Sequence, residues 1–309
     1  MKKFSDKKYL WCACFAVILT AFTAFVVLDT FLIPRAYSTV TTQSVTANEE
    51  TEETTSEETE AEVIFTEPVI TETSYDDGNV SIELSTYYEY DTTIYVADIQ
   101  ADSIEYLKAA FADDTYGRNI TAATSEIASD NDAILAVNGD YYGSQENGYV
   151  IRNGVLYRSS SKSGQEDLVI YSDGTYELIN EDDITAEELL ENGAWQVFSF
   201  GPGILEDGKI TVSESEEVGK AMASNPRTAI GFIDETHYVL VVSDGRTDES
   251  EGLSLYELAE FMKSLGVNDA YNLDGGGSST MYFNGMVINN PTTNGNSIKE
   301  RSVSDIIYF

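Results

Sequence analysis

The chain has 309 residues, enough for one large domain or two small ones, with 42% hydrophobic residues and 20 tyrosines to furnish a core. Its formal net charge of -37 argues against nucleic acid or an anionic membrane surface as partner. A single histidine, His237, and two cysteines, Cys12 and Cys14, leave multi-histidine zinc sites and a disulfide framework without the residues they need and nearly exclude Ser–His–Asp catalysis. Acid–base chemistry therefore falls to carboxylates, supported by Tyr, Lys or Arg.

Lys2, Lys3, Lys7 and Lys8 precede Leu10–Leu28, a stretch without a charged residue. Such a run is longer than the roughly 7–15 residues of a signal-peptide core and close to the roughly 20 that span a bilayer. The lysines put the N-terminal side in the cytoplasm. Residues 1–8 are thus expected inside, 9–33 as a single-pass signal anchor in the cell membrane, and the chain after about Pro34 outside. A cleaved signal peptide and a secreted domain are the alternative, with Ala36 and Ser38 as a small-x-small site. Residues 34–77, rich in Thr and Glu, read as an unfolded stalk, because low hydrophobicity and like charge keep such a segment extended.

From about Gly78 to the C-terminus one domain of mixed α/β (α+β) class is expected, with parallel and antiparallel strands in a mixed sheet and few helices. Alternation predicts strands at Val80–Leu84 and Thr93–Ile99, and Ser103–Phe111 suggests a short helix capped by Ser103. Ala133–Val137 reads as a buried strand running into Asn138-Gly139-Asp140. Asn153-Gly154, Asp173-Gly174 and Asp207-Gly208 mark hairpin turns, and Glu187–Asn192 a helix stopped by Gly193.

Thr228–Ile233 and Tyr238–Ser243 predict a hairpin. With Glu235-Thr236 as its loop, position 227 pairs with 244 and Arg227 lies beside Asp244. Ser254–Leu265 predicts a helix, with a Ser254/Glu257 capping box, Gly266 at its end and Leu255, Leu258, Phe261, Met262 and Leu265 on one face. Ala270–Leu273 is the next strand. Strand, helix and strand predict a parallel βαβ unit, which sets Asp244–Arg246 and Asp274–Ser279 at neighbouring carboxyl ends, where open α/β sheets bind ligands.

Four polar clusters then converge: Asn138–Tyr142, Asn225–Arg227, Asp244–Arg246 and Asn272–Ser279. Asp274, Asp140, Asp244, Arg246 and Arg227 are the candidate catalytic groups. Asn138, Asn225, Asn272, Gly275, Gly276, Gly277, Ser278, Ser279 and, near the C-terminus, Arg301 are candidates for binding substrate. Paired carboxylates serve glycoside hydrolysis, while arginine forks and a glycine nest hold phosphate. Both together suit a sugar joined to a phosphate. No ordered oxygen-ligand spacing such as D-x-D-x-D-G occurs, so neither a metal nor another cofactor is predicted.

The residues A-V-N-G-D-Y-Y (Ala136–Tyr142), N-P-R-T-A-I-G (Asn225–Gly231), S-D-G-R (Ser243–Arg246), Leu265–Met281 with N-L-D-G-G-G-S-S-T, and E-R-S-V (Glu300–Val303) resemble the phosphodiester glycosidases, from about residue 80 onward. The resemblance implies hydrolysis of the C1–O bond of a sugar 1-phosphodiester, such as an N-acetylglucosamine-1-phosphodiester. Combined with a lysine-flanked anchor and a cysteine-free outer domain, it points to bacterial cell-surface glycan or exopolysaccharide as the carbohydrate partner. The alternative is a non-catalytic carbohydrate-binding or polysaccharide-assembly protein, in which Tyr141, Tyr142, Tyr271 and Tyr282 stack on sugars.

Overall fold

A computed structural model describes residues 10–39, 67–215 and 224–309. Its described strands form a nine-stranded sheet, two five-stranded sheets and one isolated pair. The domain is mixed α/β and mostly β, with a few short helices, as the sequence predicts. The expected parallel pairing is corrected: every hydrogen-bonded strand pair among the described residues is antiparallel.

The reason lies in the nine-stranded sheet. Thr228–Asp234 sits between His237–Ser243 and Asp269–Asn272 and pairs antiparallel with both. The two flanking strands therefore run in the same direction without touching. The capped helix Leu255–Ser264 carries the chain from one to the other across the intervening strand. Their carboxyl ends still reach one edge of the sheet, and that edge holds the clusters around Asp244 and Asp274.

The central hairpin turns at Glu235-Thr236, with Asp234 opposite His237. A bulge at Ile233 then shifts the register by one, so Phe232 faces Tyr238 and Thr228 faces Val242. Arg227 consequently lies opposite Ser243 rather than Asp244. Ser243 N–H donates to the Arg227 carbonyl at 2.9 Å, and Arg227 N–H donates to Ser243 Oγ at 3.0 Å.

Tyr238–Ser243 is buried throughout, and its alternation feeds two cores. Tyr238, Leu240 and Val242 join Ile230, Tyr271 and Leu273 against Leu135, Val137, Leu168 and Ile170 of the smaller sheets. Val239 and Val241 turn the other way, onto Leu255, Leu258, Phe261 and Met262 of the helix. Ser254 and Glu257 form the expected capping box. The Asn153-Gly154, Asp173-Gly174 and Asp207-Gly208 turns all close antiparallel hairpins.

Ser103–Phe111 departs from expectation. Ser103 caps only the 3-10 turn Ile104–Tyr106, and Lys108–Phe111 is a strand on Asp305–Tyr308. Ala109 and Ala110 are good helix formers, yet pairing with the C-terminal strand buries them on opposite faces, and tertiary packing overrides propensity.

Two pieces of the 34–77 segment are also ordered. Arg35–Thr39 pairs with Thr115–Arg118, while Val69–Ile70 and Ser74–Asp76 end the nine-stranded sheet. Residues 40–66, the bulk of the predicted stalk, and 1–9, the predicted cytoplasmic end, lie outside the described residues. Leu10–Phe31 forms the apolar helix, whose last carbonyls meet the domain: Asn119 Nδ2 donates to Thr30 O at 3.3 Å and Ile33 O at 3.2 Å.

A buried charged triad joins the two smaller sheets. Arg152 Nη2 lies 2.8 Å from Asp140 Oδ2 and 2.8 Å from Asp305 Oδ2, and its guanidinium covers the Phe198 ring at 4.3 Å. Burial works against the Arg152 charge, but the two carboxylates outweigh it and raise its pKa. Burial pushes the Asp305 carboxyl up to about 7, with Arg152 opposing and Asp140 adding to the rise.

Replacing Arg152 by Met strands two carboxylates in the interior and should cost about 3–5 kcal/mol at neutral pH. A carboxyl whose folded pKa exceeds its unfolded value loses stability as pH rises between the two. The deficit of Arg152→Met, read from urea midpoints, should therefore shrink as pH falls toward about 4.

Candidate active site

Asp269–Asn272 delivers the chain to the site edge, where Leu273 N–H still donates to Thr228 O at 2.8 Å. Asp274 then leaves the sheet. Its N–H donates to Gly139 O at 3.3 Å, and its carbonyl accepts from Asn138 Nδ2 at 2.6 Å. Gly276 takes φ 63 and donates its N–H to Pro226 O at 2.8 Å. A Cβ there would lie 2.9 Å from Arg246 Nη2, so the glycine both permits the left-handed turn and leaves room for the guanidinium.

Arg301 reaches the same turn from the C-terminal loop. Its Nη2 donates to Asp274 Oδ2 at 3.0 Å, to Ser278 Oγ at 2.6 Å and to Gly275 O at 3.2 Å. Burial raises the Asp274 pKa, and Arg301 and the Ser278 hydroxyl pull it partly back. The carboxyl thus holds a proton to higher pH than a solvated aspartate, while remaining an anion partner for Arg301.

Arg246 comes from the loop after His237–Ser243, in a left-handed conformation with φ 63. Nε and Nη2 donate to Asn225 Oδ1 at 3.2 and 2.9 Å, and Nη1 donates to Thr293 O at 2.5 Å. Among the described residues no carboxylate forms an ion pair with it. Its pKa is lowered, first by burial and then by the charge of Arg301. Two guanidiniums face a common space with Asp274 beside one of them. Arg227 also lines that space, and its Nε donates to Leu253 O at 2.8 Å.

The cleft encloses about 170 Å³ between Phe200, Asn225, Arg227, Arg246, Leu273, Asp274, Gly275, Gly276 and Arg301. A larger cavity, about 460 Å³, opens at the opposite ends of the same strands around Asp269, Glu206, Asp207, Glu177 and Glu235. Its charged lining is entirely acidic. It offers an anion nothing, so size is a poor guide here and charge a good one.

The other sequence-predicted residues stand behind the cleft. Asp140 is fully buried and bonded to Arg152, Ser199 N–H and Tyr142 N–H. Asp244 accepts from Asn290 N–H at 2.8 Å, Asn290 Nδ2 at 2.9 Å and Tyr95 Oη at 3.3 Å, which ties down the loop leading to Thr293. Asn138 Oδ1 accepts from Thr228 Oγ1 at 2.8 Å and from Thr280 N–H at 3.3 Å. Asn272 Nδ2 donates to Gly201 O at 2.9 Å. Gly277 accepts from Arg301 N–H, Ser278 holds the Arg301 side chain, and Ser279 accepts from Asn289 through its carbonyl.

Sequence reasoning missed Phe200, Leu273 and the Arg152 partner of Asp140. Phe200 follows the strand Ala194–Phe198 and precedes Gly201-Pro202, where the sequence signals a chain break and nothing more. Arg152 reads as the polar flank of a hairpin turn.

A family model described as phosphodiester glycosidase matches residues 131–309. The chain is 32% identical over 165 residues to the SPbeta prophage-derived uncharacterized protein YomE of Bacillus subtilis, covering 51% of this chain and 25% of that protein. It is 32% identical over 189 residues to the human N-acetylglucosamine-1-phosphodiester alpha-N-acetylglucosaminidase, covering 55% of this chain and 36% of that enzyme. The chain thus spans between a quarter and about a third of the length of these relatives. In fold it is similar to the zebrafish N-acetylglucosamine-1-phosphodiester alpha-N-acetylglucosaminidase catalytic domain auto-inhibited by pro-peptide, with TM-score 0.60 at 24% identity over 74% of this chain and 82% of that one. A hypothetical protein from Synechocystis shares the fold with TM-score 0.56 at 14% identity, over 74% of this chain and 62% of that one. With its family model covering more than half of the sequence and every motif of the cleft within or beside that match, the chain belongs to the phosphodiester glycosidase family.

Proposed function

We propose that the cleft hydrolyses the bond between the anomeric carbon of a sugar and a phosphodiester oxygen. The observation that carries this reading is the pair of guanidiniums, Arg246 and Arg301, on one small cleft with Asp274 between sheet and turn. Two converging cations beside a carboxylate suit a substrate with an anion on one side of the scissile bond and a developing cation on the other.

Water attacks C1, the C1–O bond breaks, and its electron pair leaves with the phosphate as a phosphomonoester. Phosphate is a good leaving group, so the arginines neutralise charge and protonation is secondary. Asp274 in its ionised form stabilises the oxocarbenium-like state or takes the proton of the attacking water. Arg227 and Asn225 complete the binding wall. Asp140 and Asp244, placed behind the cleft, hold its loops.

The names of the mammalian relatives make N-acetylglucosamine-1-phosphodiesters the first substrates to try. The apolar helix Leu10–Phe31 and its preceding lysines support a single-pass protein with the domain outside the cell. Surface glycan and exopolysaccharide phosphodiesters are the substrates such a location offers.

Arg246→Ala and Asp274→Asn should each lower kcat/KM by about 10²–10³ on a sugar 1-phosphodiester, read as released sugar. Near-normal turnover in both, with the fold intact, would sink the assignment. Binding of glycan with no sugar released by the wild type would favour a non-catalytic binder.

The pH profile gives an independent check. Because Asp274 works ionised and its pKa is raised, kcat/KM should fall on acidification at a pH above the ordinary carboxylate value of about 3.9. Arg301→Gln removes a group that lowers that pKa, so the acid limb should move further up in pH.

A further inference from the structure

Of the described residues that line the cleft, Phe200 alone is aromatic, and it is half-buried where Leu273 is fully covered. One side of it packs on the main core. Among the described residues it takes part in no aromatic pair, and the cation–ring contact nearby belongs to Arg152 and Phe198. Its backbone is fixed on both sides. The Phe200 N–H donates to Tyr271 Oη at 2.9 Å, and its carbonyl accepts from Gln165 Nε2 at 3.3 Å. Tyr271 is fully buried and in turn donates to Glu166 O at 2.8 Å.

A positioned apolar ring in a cleft otherwise made of guanidiniums, a carboxylate, an amide, glycine backbone and the covered Leu273 is poorly served by water. The arginines do not use it either. The group that fits beside an anion and against a ring is one with a continuous C–H face, which a pyranose has and an acyclic polyol lacks.

We propose that Phe200 is the sugar platform of the cleft: the C–H face of a single pyranose lies on its ring while the anomeric phosphate sits between Arg246 and Arg301. This rests on the sugar-phosphodiester reading above and adds to it the residue that holds the glycosyl ring. The platform binds and orients; it transfers no proton and forms no bond. A pyranose lying there turns its C1 toward the arginines and Asp274.

The test uses the full-length protein in detergent, with an N-acetylglucosamine-1-phosphodiester as substrate and inorganic phosphate as competitive inhibitor. Phe200→Ala should raise KM about tenfold while kcat changes less than about threefold, and Phe200→Trp should stay within about twofold of wild type in both. The phosphate inhibition constant should hold within about twofold in both variants, because the arginines are untouched; a variant still inhibited in this way also has a folded cleft. A Phe200→Ala KM within about twofold of wild type overturns the platform. So does a phosphate inhibition constant that rises in step with KM, since Phe200 would then be shaping the arginine site. A wild type that releases sugar from none of the ring-sugar phosphodiesters overturns the underlying reading and this inference with it; an active wild type with an indifferent Phe200→Ala overturns the platform alone.

Discussion

The carboxamide of Asn138 is fully buried, and three parts of the chain close on it. It donates to the Asp274 carbonyl at 2.6 Å and accepts from the Thr228 hydroxyl at 2.8 Å and the Thr280 N–H at 3.3 Å. Each buried partner left unmade costs about 1–3 kcal/mol, so the beginning of the central strand, the glycine turn and the strand leading to Asp140 keep fixed mutual positions. Asp274 can point its carboxyl at Arg301 because its own carbonyl is held underneath.

Electrostatics at two length scales pull in opposite directions. The protein carries a net charge of -37, so an anionic substrate meets repulsion on approach. Salt confines that repulsion to a layer of about 8–10 Å at physiological ionic strength. Inside the cleft the guanidiniums act at shorter range and lower dielectric, where an opposite charge counts for more. The partners of Arg246, the Asn225 side-chain oxygen and the Thr293 carbonyl, matter here because they are neutral. They fix the direction of the fork without cancelling its charge.

Local signals in the sequence were sufficient for most of the elements and for most of the residues that line the candidate cleft. The capping box at Ser254, the turn dipeptides and the alternation from Thr228 to Ser243 each describe neighbours in sequence, and each appears where expected. Asp274, Arg246, Arg227 and Asn225 could be placed because strand ends share an edge whichever strand lies between them. The failures are of another kind. The bulge at Ile233 moves Arg227 from Asp244 to Ser243, and no residue type announces a one-residue slip. Asp140 and Asp244 read as candidate catalytic carboxylates without the partners the fold gives them, Arg152 and Asn290, which come from loops and strands that only the folded chain brings near. Phe200 carries no polar signal, so a search for chemistry passes over it.

The Arg35–Thr39 pairing brings the start of the domain close to the apolar helix. Thr39 is held on Thr115 and Val69 on Asp76, so the described residues on both sides of residues 40–66 pair with strands of the domain. The gap between the apolar helix and the domain is set by Leu32, Ile33 and Pro34, with Asn119 gripping the helix end. Helix and domain are accordingly neighbours in the chain, joined by a connection too short to let the one swing far from the other.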